Sequence, residues 1–193
     1  MEKAQLVSDA RRLSESLGEL PEPAAEPVLV VISGLPGTGK SYFSKQLAER
    51  IPFLVLESDA LRRALFSPPG YSSRESSQLF QAIYRLVEEL LERGIPLILD
   101  ATNLSERLRE RLYSIADRLS IKLVLVRVEA PPEVVRERLE RRAGDSDSRS
   151  DADWAVYCKM VPSVERIRRN HYVVDTSRDI TPVIGKILRE ARR

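Results

Sequence analysis

The chain is poor in the residues that build disulfide and metal frameworks. One cysteine and one histidine occur in 193 residues. Cys158 alone cannot close an internal disulfide or a thiolate cluster, and His171 alone excludes a histidine-rich metal site. Eight glycines and twelve prolines are too few for a collagen-like or low-complexity chain. No apolar run approaches the ~20 residues that span a bilayer. The N-terminus, MEKAQLVSDARRL, lacks the apolar stretch of a signal peptide, so the cytoplasm is the expected compartment and no membrane partner is expected. Charge of one sign is also lacking: 31 basic against 29 acidic residues leave +2, without the strong basic excess of a dedicated nucleic-acid binder. What remains is a soluble globular composition, 31% charged and 42% apolar, with length for one domain and a small appendage.

The pattern divides at residue 27. Residues 1–20 read as a helix with a leucine stripe (Leu6, Leu13, Leu17, Leu20), and PEPAAEP at 21–27 breaks it, because three prolines cannot continue a helix. Residues 1–27 are thus expected to be an N-terminal helix and linker, and 28–193 the main domain. Within that domain five short apolar runs read as strands: Val28–Ser33, Phe53–Leu56, Pro96–Asp100, Leu123–Val128 and Tyr172–Asp175. Helical patterns separate them, at 40–50, 59–66, 75–93, 104–119, 131–142 and 151–169, with a closing helix at 180–191. Such alternation predicts an α/β fold with a parallel sheet.

Between the first strand and the first helix of this domain lies Gly34-Leu35-Pro36-Gly37-Thr38-Gly39-Lys40-Ser41, a full G-x-x-x-x-G-K-[ST] match in its required strand–helix setting. Glycines let the backbone wrap an anion, and the following helix adds the positive end of its dipole. The expected nucleotide-binding set is Gly34 to Ser41 with Tyr42 following. Lys40 reaches the β- and γ-phosphates, and Ser41 offers a hydroxyl to Mg²⁺. ATP and Mg²⁺ are therefore the expected cofactors.

Three further places bear on the fate of the phosphate. Asp59 follows the second strand, at the carboxyl edge where ligands of such sheets sit, and a carboxylate there can take a proton from an incoming hydroxyl. Arg62, one helical turn on, lies on the same side and either holds an anionic part of the acceptor or steadies the carboxylate. Asp100 ends the third strand in the manner of a Walker B segment; it holds Mg²⁺ or its water, or alternatively pins Arg62 or acceptor hydroxyls. Arg138 and Arg142 share a helix face before the polar loop 144–150 and can clamp a moving phosphoryl group as a lid closes, with the lid spanning about 138–153.

Taken together, GLPGTGKS, SDALR, LDATN, RERLERR and SDADW resemble, over roughly residues 28–190, the P-loop kinases of the polynucleotide-kinase and zeta-toxin type, often grouped as an AAA-like ATP-binding domain. The resemblance implies a three-layer P-loop NTPase fold with sheet order 2-3-1-4-5, which puts Asp100 beside the P-loop. It implies that Asp59 is the general base, Arg62 an acceptor-side arginine, Asp100 a carboxylate supporting it, and Arg138 and Arg142 the lid arginines. Ser150-Asp151-Ala152 matches a segment after the lid. Near Met160 the chain lacks a glutamine that many relatives carry. Acceptors in the family range from 5′-hydroxyl ends of nucleic acid to tRNA-linked serine, sugars, antibiotics and nucleotide sugars.

The expected function is therefore an ATP-dependent kinase, an alcohol-group phosphotransferase, with Lys40, Asp59, Arg62, Arg138 and Arg142 catalytic and Ser41 and Asp100 metal-ligating. A small-molecule acceptor is favoured over nucleic acid because acids interleave the basic runs at 136–149 and 166–169. A nucleic-acid 5′-hydroxyl kinase and a slowly hydrolysing regulatory or toxin-like module are the alternatives. Cys158 and Trp154 are expected to be packed, His171 to be structural, and Asp175-Thr176-Ser177 to be a turn, with a place near the adenine as the alternative.

Overall fold

The computed structural model describes residues 2–143 and 152–192. Its centre is a five-stranded parallel sheet of strands β1 (Val28–Ser33), β2 (Leu54–Glu57), β3 (Leu97–Asp100), β4 (Lys122–Glu129) and β5 (Tyr172–Asp175) in the order β2-β3-β1-β4-β5. This is the expected 2-3-1-4-5 order. Every residue of β1 is buried, as its unbroken apolar sequence requires of a strand covered on both faces. Ile32 sits opposite Asp100 in the β1–β3 register, so the carboxyl ends of these two strands finish side by side.

The pleat sends alternate side chains to opposite faces. Leu29 and Val31 join one core with Leu97, Leu99 and Leu125, under helices α1 (Glu2–Glu15), α3 (Ser58–Leu65), α4 (Ser73–Glu92) and α5 (Glu106–Arg118). Val30 and Ile32 join the other with Ile98 and Val126, under α2 (Lys40–Ala48) and the C-terminal helix α8 (Thr181–Ala191). Helix α4 forms because Leu79, Ile83, Leu86 and Leu90 recur at helical spacing and Ser72 accepts the Glu75 amide at 3.1 Å as its N-cap. Ser105 caps α5 in the same way.

The N-terminal helix is shorter than its leucine stripe suggests and is docked. Leu13 is fully buried. Asp9 accepts hydrogen bonds from Gln5 (2.9 Å) and from Gln78 of α4 (2.6 Å). Arg12 donates to the carbonyls of Ala64 and Leu65 at the end of α3, both at 3.2 Å. These are the carbonyls a short helix leaves without an internal partner.

Beyond α6 (Pro132–Ala143) the helix expected over 151–169, with Pro162 as a kink or break in it, does not resume after that proline. Helix α7 covers only Trp154–Met160, a 3-10 turn follows at Val161–Ser163, and residues 164–171 run as a non-helical strap across α5. Pro162 withholds a helical N–H donor. The strap's own polar groups are met elsewhere: Arg109 donates to the carbonyls of Glu165 and Arg166, and the Glu165 amide donates to Leu104. Cys158, expected to be packed, is exposed on α7. Trp154 stacks on Tyr157 with centroids 4.8 Å apart, and His171 contacts the Arg169 carbonyl through Nδ1. The polar loop 144–150 and Asp151, with Ser150 of the SDA segment, lie outside the described residues, and with them most of the lid expected at about 138–153.

Candidate active site

The P-loop takes its shape from contacts that only glycine allows. Gly37 and Gly39 adopt φ of +77° and +90°, the left-handed region that other residues enter at a cost of about 1–2 kcal/mol. At Gly34 a Cβ would fall 2.3 Å from the Val128 carbonyl oxygen. The Gly34 amide donates to the Thr102 carbonyl (3.0 Å), and Ser33 Oγ to the carbonyl of Asn103 (3.0 Å). The loop is therefore tied at its root to the segment after β3. On its far side Gly37 lies against Val135 and Leu139 of α6, and Gly39 against Thr176. Leu35 packs into the small cluster of Val135, Leu139, Tyr157 and Trp154, whereas Tyr42 points outward and is 56% exposed.

Lys40 donates to the Leu35 carbonyl at 3.0 Å. Burial pushes its ammonium below the ordinary lysine range; the charges of Asp100 and Asp59 pull it back up, and Arg142 pushes it down. Asp100 is held above the ordinary carboxylate range by burial. Lys40 and the hydroxyls of Ser41 and Ser44 pull it down, and Asp59 pushes it up. Lys40 and Asp100 thus bear on each other across the end of the sheet. The Oδ2 of Asp100 is buried and has no hydrogen-bond partner among the described residues, a condition that costs stability unless a ligand answers it. A buried carboxylate with an unanswered oxygen, beside a serine hydroxyl at the mouth of a phosphate cradle, fits a hydrated Mg²⁺ carried by ATP.

The second half of the site departs from the sequence reading. Arg62 is buried, and its carboxylate partner is Glu75, at 2.7 Å, not Asp100. Arg62 also donates to Ser76 Oγ at 3.3 Å and lies under the ring of Tyr71, 4.9 Å from its centroid. Although partial withdrawal from water raises the Glu75 carboxyl, the hydrogen bond from Arg62, those from the Gly70 and Tyr71 amides and the Arg62 charge outweigh it and hold it below the usual carboxylate range. Glu75 stands three residues after the N-cap Ser72, a spacing that reads as a capping box. Its side chain serves the preceding loop and Arg62 instead of the helix end.

Arg138 and Arg142, expected together as lid arginines, have different surroundings. Arg138 donates to Thr176 Oγ1 (2.8 Å) and to the Thr176 carbonyl (2.9 Å), and Thr176 Oγ1 donates to the Thr38 carbonyl at 2.6 Å. Arg138 thereby links α6, the turn after β5 and the P-loop, while Arg142 sends its charge toward Lys40. Arg138, Glu75 and Thr176 have no local motif of their own beyond the R-x-x-x-R and capping-box spacings, and only the assembled fold reveals their partners.

A family profile described as AAA domain matches residues 29–167. Among curated proteins, an uncharacterized protein of Mycobacterium tuberculosis is 29% identical over 145 residues, 68% of this chain and 29% of its own. The L-seryl-tRNA(Sec) kinase of Methanococcus maripaludis is 28% identical over 116 residues, 58% of this chain and 44% of its own. The chain thus spans less than half the length of these relatives. Among solved structures, Chaetomium thermophilum Kti12 in complex with ADP-AlF3 superposes with a TM-score of 0.67 at 23% identity, covering 84% of this chain and 98% of that one. The Mycobacterium tuberculosis APS kinase in complex with AMPPNP and APS does so with a TM-score of 0.67 at 17% identity, covering 89% and 100%. The fold is that of the P-loop kinases. Among the described residues no helix is long and apolar enough to cross a membrane.

Proposed function

The chain belongs to the AAA domain family, and from that premise we propose that it is an ATP-dependent kinase of the polynucleotide-kinase and zeta-toxin type, transferring the γ-phosphoryl group to a hydroxyl of a small-molecule acceptor. The observation that carries this reading is a phosphate cradle flanked by two carboxylates at one sheet edge: Asp100 ends β3, next to β1, and Asp59 stands in the first turn of α3 directly after β2.

The backbone amides of the P-loop bind the β- and γ-phosphates. Lys40 exchanges the Leu35 carbonyl for phosphate oxygen, and its charge offsets the negative charge that spreads over the γ-oxygens during transfer. Ser41 and Asp100 would hold Mg²⁺, which would supply positive charge against the phosphates. Asp59 orients the acceptor hydroxyl and takes its proton as the oxygen–phosphorus bond forms and the bond from the γ-phosphorus to the bridging oxygen breaks, leaving ADP. Arg142 adds positive charge on the lid side. Most of the acceleration comes from positioning and fixed charge.

The test is transfer of label from γ-labelled ATP to a panel of nucleosides, sugars, nucleotide sugars, aminoglycosides and 5′-hydroxyl oligonucleotides. Transfer to an acceptor that falls by about 10²-fold or more in Asp59→Asn, and is abolished in Lys40→Ala with the fold intact, supports the reading. Transfer unchanged in Asp59→Asn removes the general base. Label released only as phosphate points to a hydrolysing regulatory module. The seryl-tRNA kinase relative favours a second reading, an RNA-linked hydroxyl, which an RNA acceptor outcompeting every small molecule would establish.

A further inference from the structure

The acceptor side of this site is electrically closed. Arg62, the cation nearest in sequence to Asp59, is buried with its carboxylate partner, the side chains being 9% and 11% exposed. One guanidinium N–H donates to Glu75 Oε1 and another reaches Ser76. The second Glu75 oxygen accepts the Gly70 amide at 2.7 Å, so Glu75 cannot leave Arg62 without releasing the loop as well. Above the pair sits Tyr71, a non-glycine residue at φ +52° that is 46% exposed. Residues in the left-handed region persist where their surroundings over-determine them, and they cluster at ligand sites. Here the Glu75 carboxylate binds the Tyr71 amide and Arg62 supports the ring.

We infer that this wall selects an uncharged, hydroxyl-bearing ring as the acceptor, laid against the Tyr71 face, and that Glu75 is the residue that excludes anionic acceptors. The inference rests on the kinase reading for the identity of the pocket. An anion approaching Arg62 meets a cation already neutralised and a carboxylate that repels it; discrimination of this kind works by penalising the wrong partner as much as by rewarding the right one. A sugar or nucleoside carries no such penalty. It presents the C–H or base face that stacks on an aromatic ring, and the guanidinium 4.9 Å from the ring centroid holds that ring in place.

The test uses the full chain saturated with Mg²⁺ and a non-hydrolysable ATP analogue, titrated calorimetrically with matched pairs: adenosine against adenosine 3′-phosphate, and glucose against gluconate. The two pairs separate a nucleoside source from a sugar source. One neutral member is expected to bind at least about tenfold tighter than its anionic counterpart. In Glu75→Gln that preference narrows or inverts, because the Arg62 charge is uncovered. Tyr71→Ala weakens the neutral member by about tenfold, the scale of one lost stacking contact, and Tyr71→Phe retains it. Tighter binding of an anionic member by the wild type, or binding of neither member of either pair, overturns the inference. So does an unchanged preference in Glu75→Gln. A neutral member that binds with this pattern but receives no label from ATP refutes the kinase reading and leaves the charge selection standing, so the two failures are distinct.

Discussion

Arg109 is the side chain whose loss should be felt most widely. It is 1% exposed, and all three of its guanidinium nitrogens donate hydrogen bonds. Nη1 donates to the carbonyls of Asn103 (2.6 Å) and Leu104 (2.8 Å), Nη2 to those of Glu165 (3.0 Å) and Arg166 (3.1 Å), and Nε and Nη2 both to Glu106, at 2.9 and 2.7 Å. Arg109→Met keeps the length and removes all of these donors. Four carbonyls and one carboxylate then lose a partner at a place that water reaches only if the strap lifts. Breaking a buried charge pair from one side costs about 3–5 kcal/mol. For a chain of this size that lowers the melting temperature by roughly 6–20 °C. Guanidinium denaturation measures the first quantity. Native-state hydrogen exchange locates it: the Glu165 amide, bonded to Leu104, and the Glu106 amide, bonded to the Glu165 carboxylate, should lose protection before the sheet does. A loss below about 1 kcal/mol, or strap amides that stay as protected as those of β1, would refute the account of Arg109 as the anchor of the strap.

Two other changes have outcomes set by the geometry. Gly37→Ala puts a Cβ 2.8 Å from Val135 Cγ1 and 2.9 Å from Leu139 Cγ at φ +77°, so it should cost about 2–4 kcal/mol from backbone strain and overpacking together and weaken ATP binding; the Gly37→Ala/Val135→Ala double variant should recover part of the stability, and denaturation of the three proteins checks it. Tyr84, whose hydroxyl donates to the Leu108 carbonyl at 3.2 Å, has its phenol pushed up by burial to about 12 from 10. A raised folded-state value stabilises below the unfolded one and is lost as pH rises through the folded one, so the wild type should shed stability relative to Tyr84→Phe between pH 10 and about 12, seen as converging denaturation midpoints.

Local pattern carries the parallel sheet and the cradle because both depend on short-range facts: an unbroken apolar run at Val28–Ser33 suits only a strand covered on both faces, and the glycines at 37 and 39 mark backbone that no other residue adopts comfortably. The strap was illegible for the opposite reason. Residues 164–171 have the composition of a helix, and what keeps them from one is the guanidinium of Arg109, a residue over fifty positions away in sequence. The role of Glu75 is illegible for a subtler reason. Its spacing from Ser72 fits a helix cap, and Ser72 does cap, but the carboxylate turns to Arg62, a partner brought to it by the packing of α3 on α4. Asp100 ended where its strand put it, beside the P-loop, and the alternative of pinning Arg62 fell to a carboxylate that the sequence gives no reason to choose.

The docking of α1 separates two lengths of chain that are easily confused. The span shared with the family is 29–167. The span that buries a core runs from Ala10 and Leu13 at one end to Ile184 and Ile187 at the other. A transplant cut at the shared boundaries would strip the cover from Leu79 and Ile83 and would remove β5 and α8 with the Thr176 latch on Thr38. There is a consequence for divergence as well. Arg12 grips the end of the helix that carries Asp59 and Arg62, and Asp9 grips the one that carries Glu75. Changes among residues 9–13 can therefore shift Arg62 and Glu75 by fractions of an ångström while that pair itself stays the same, a tuning region outside the span shared with the family.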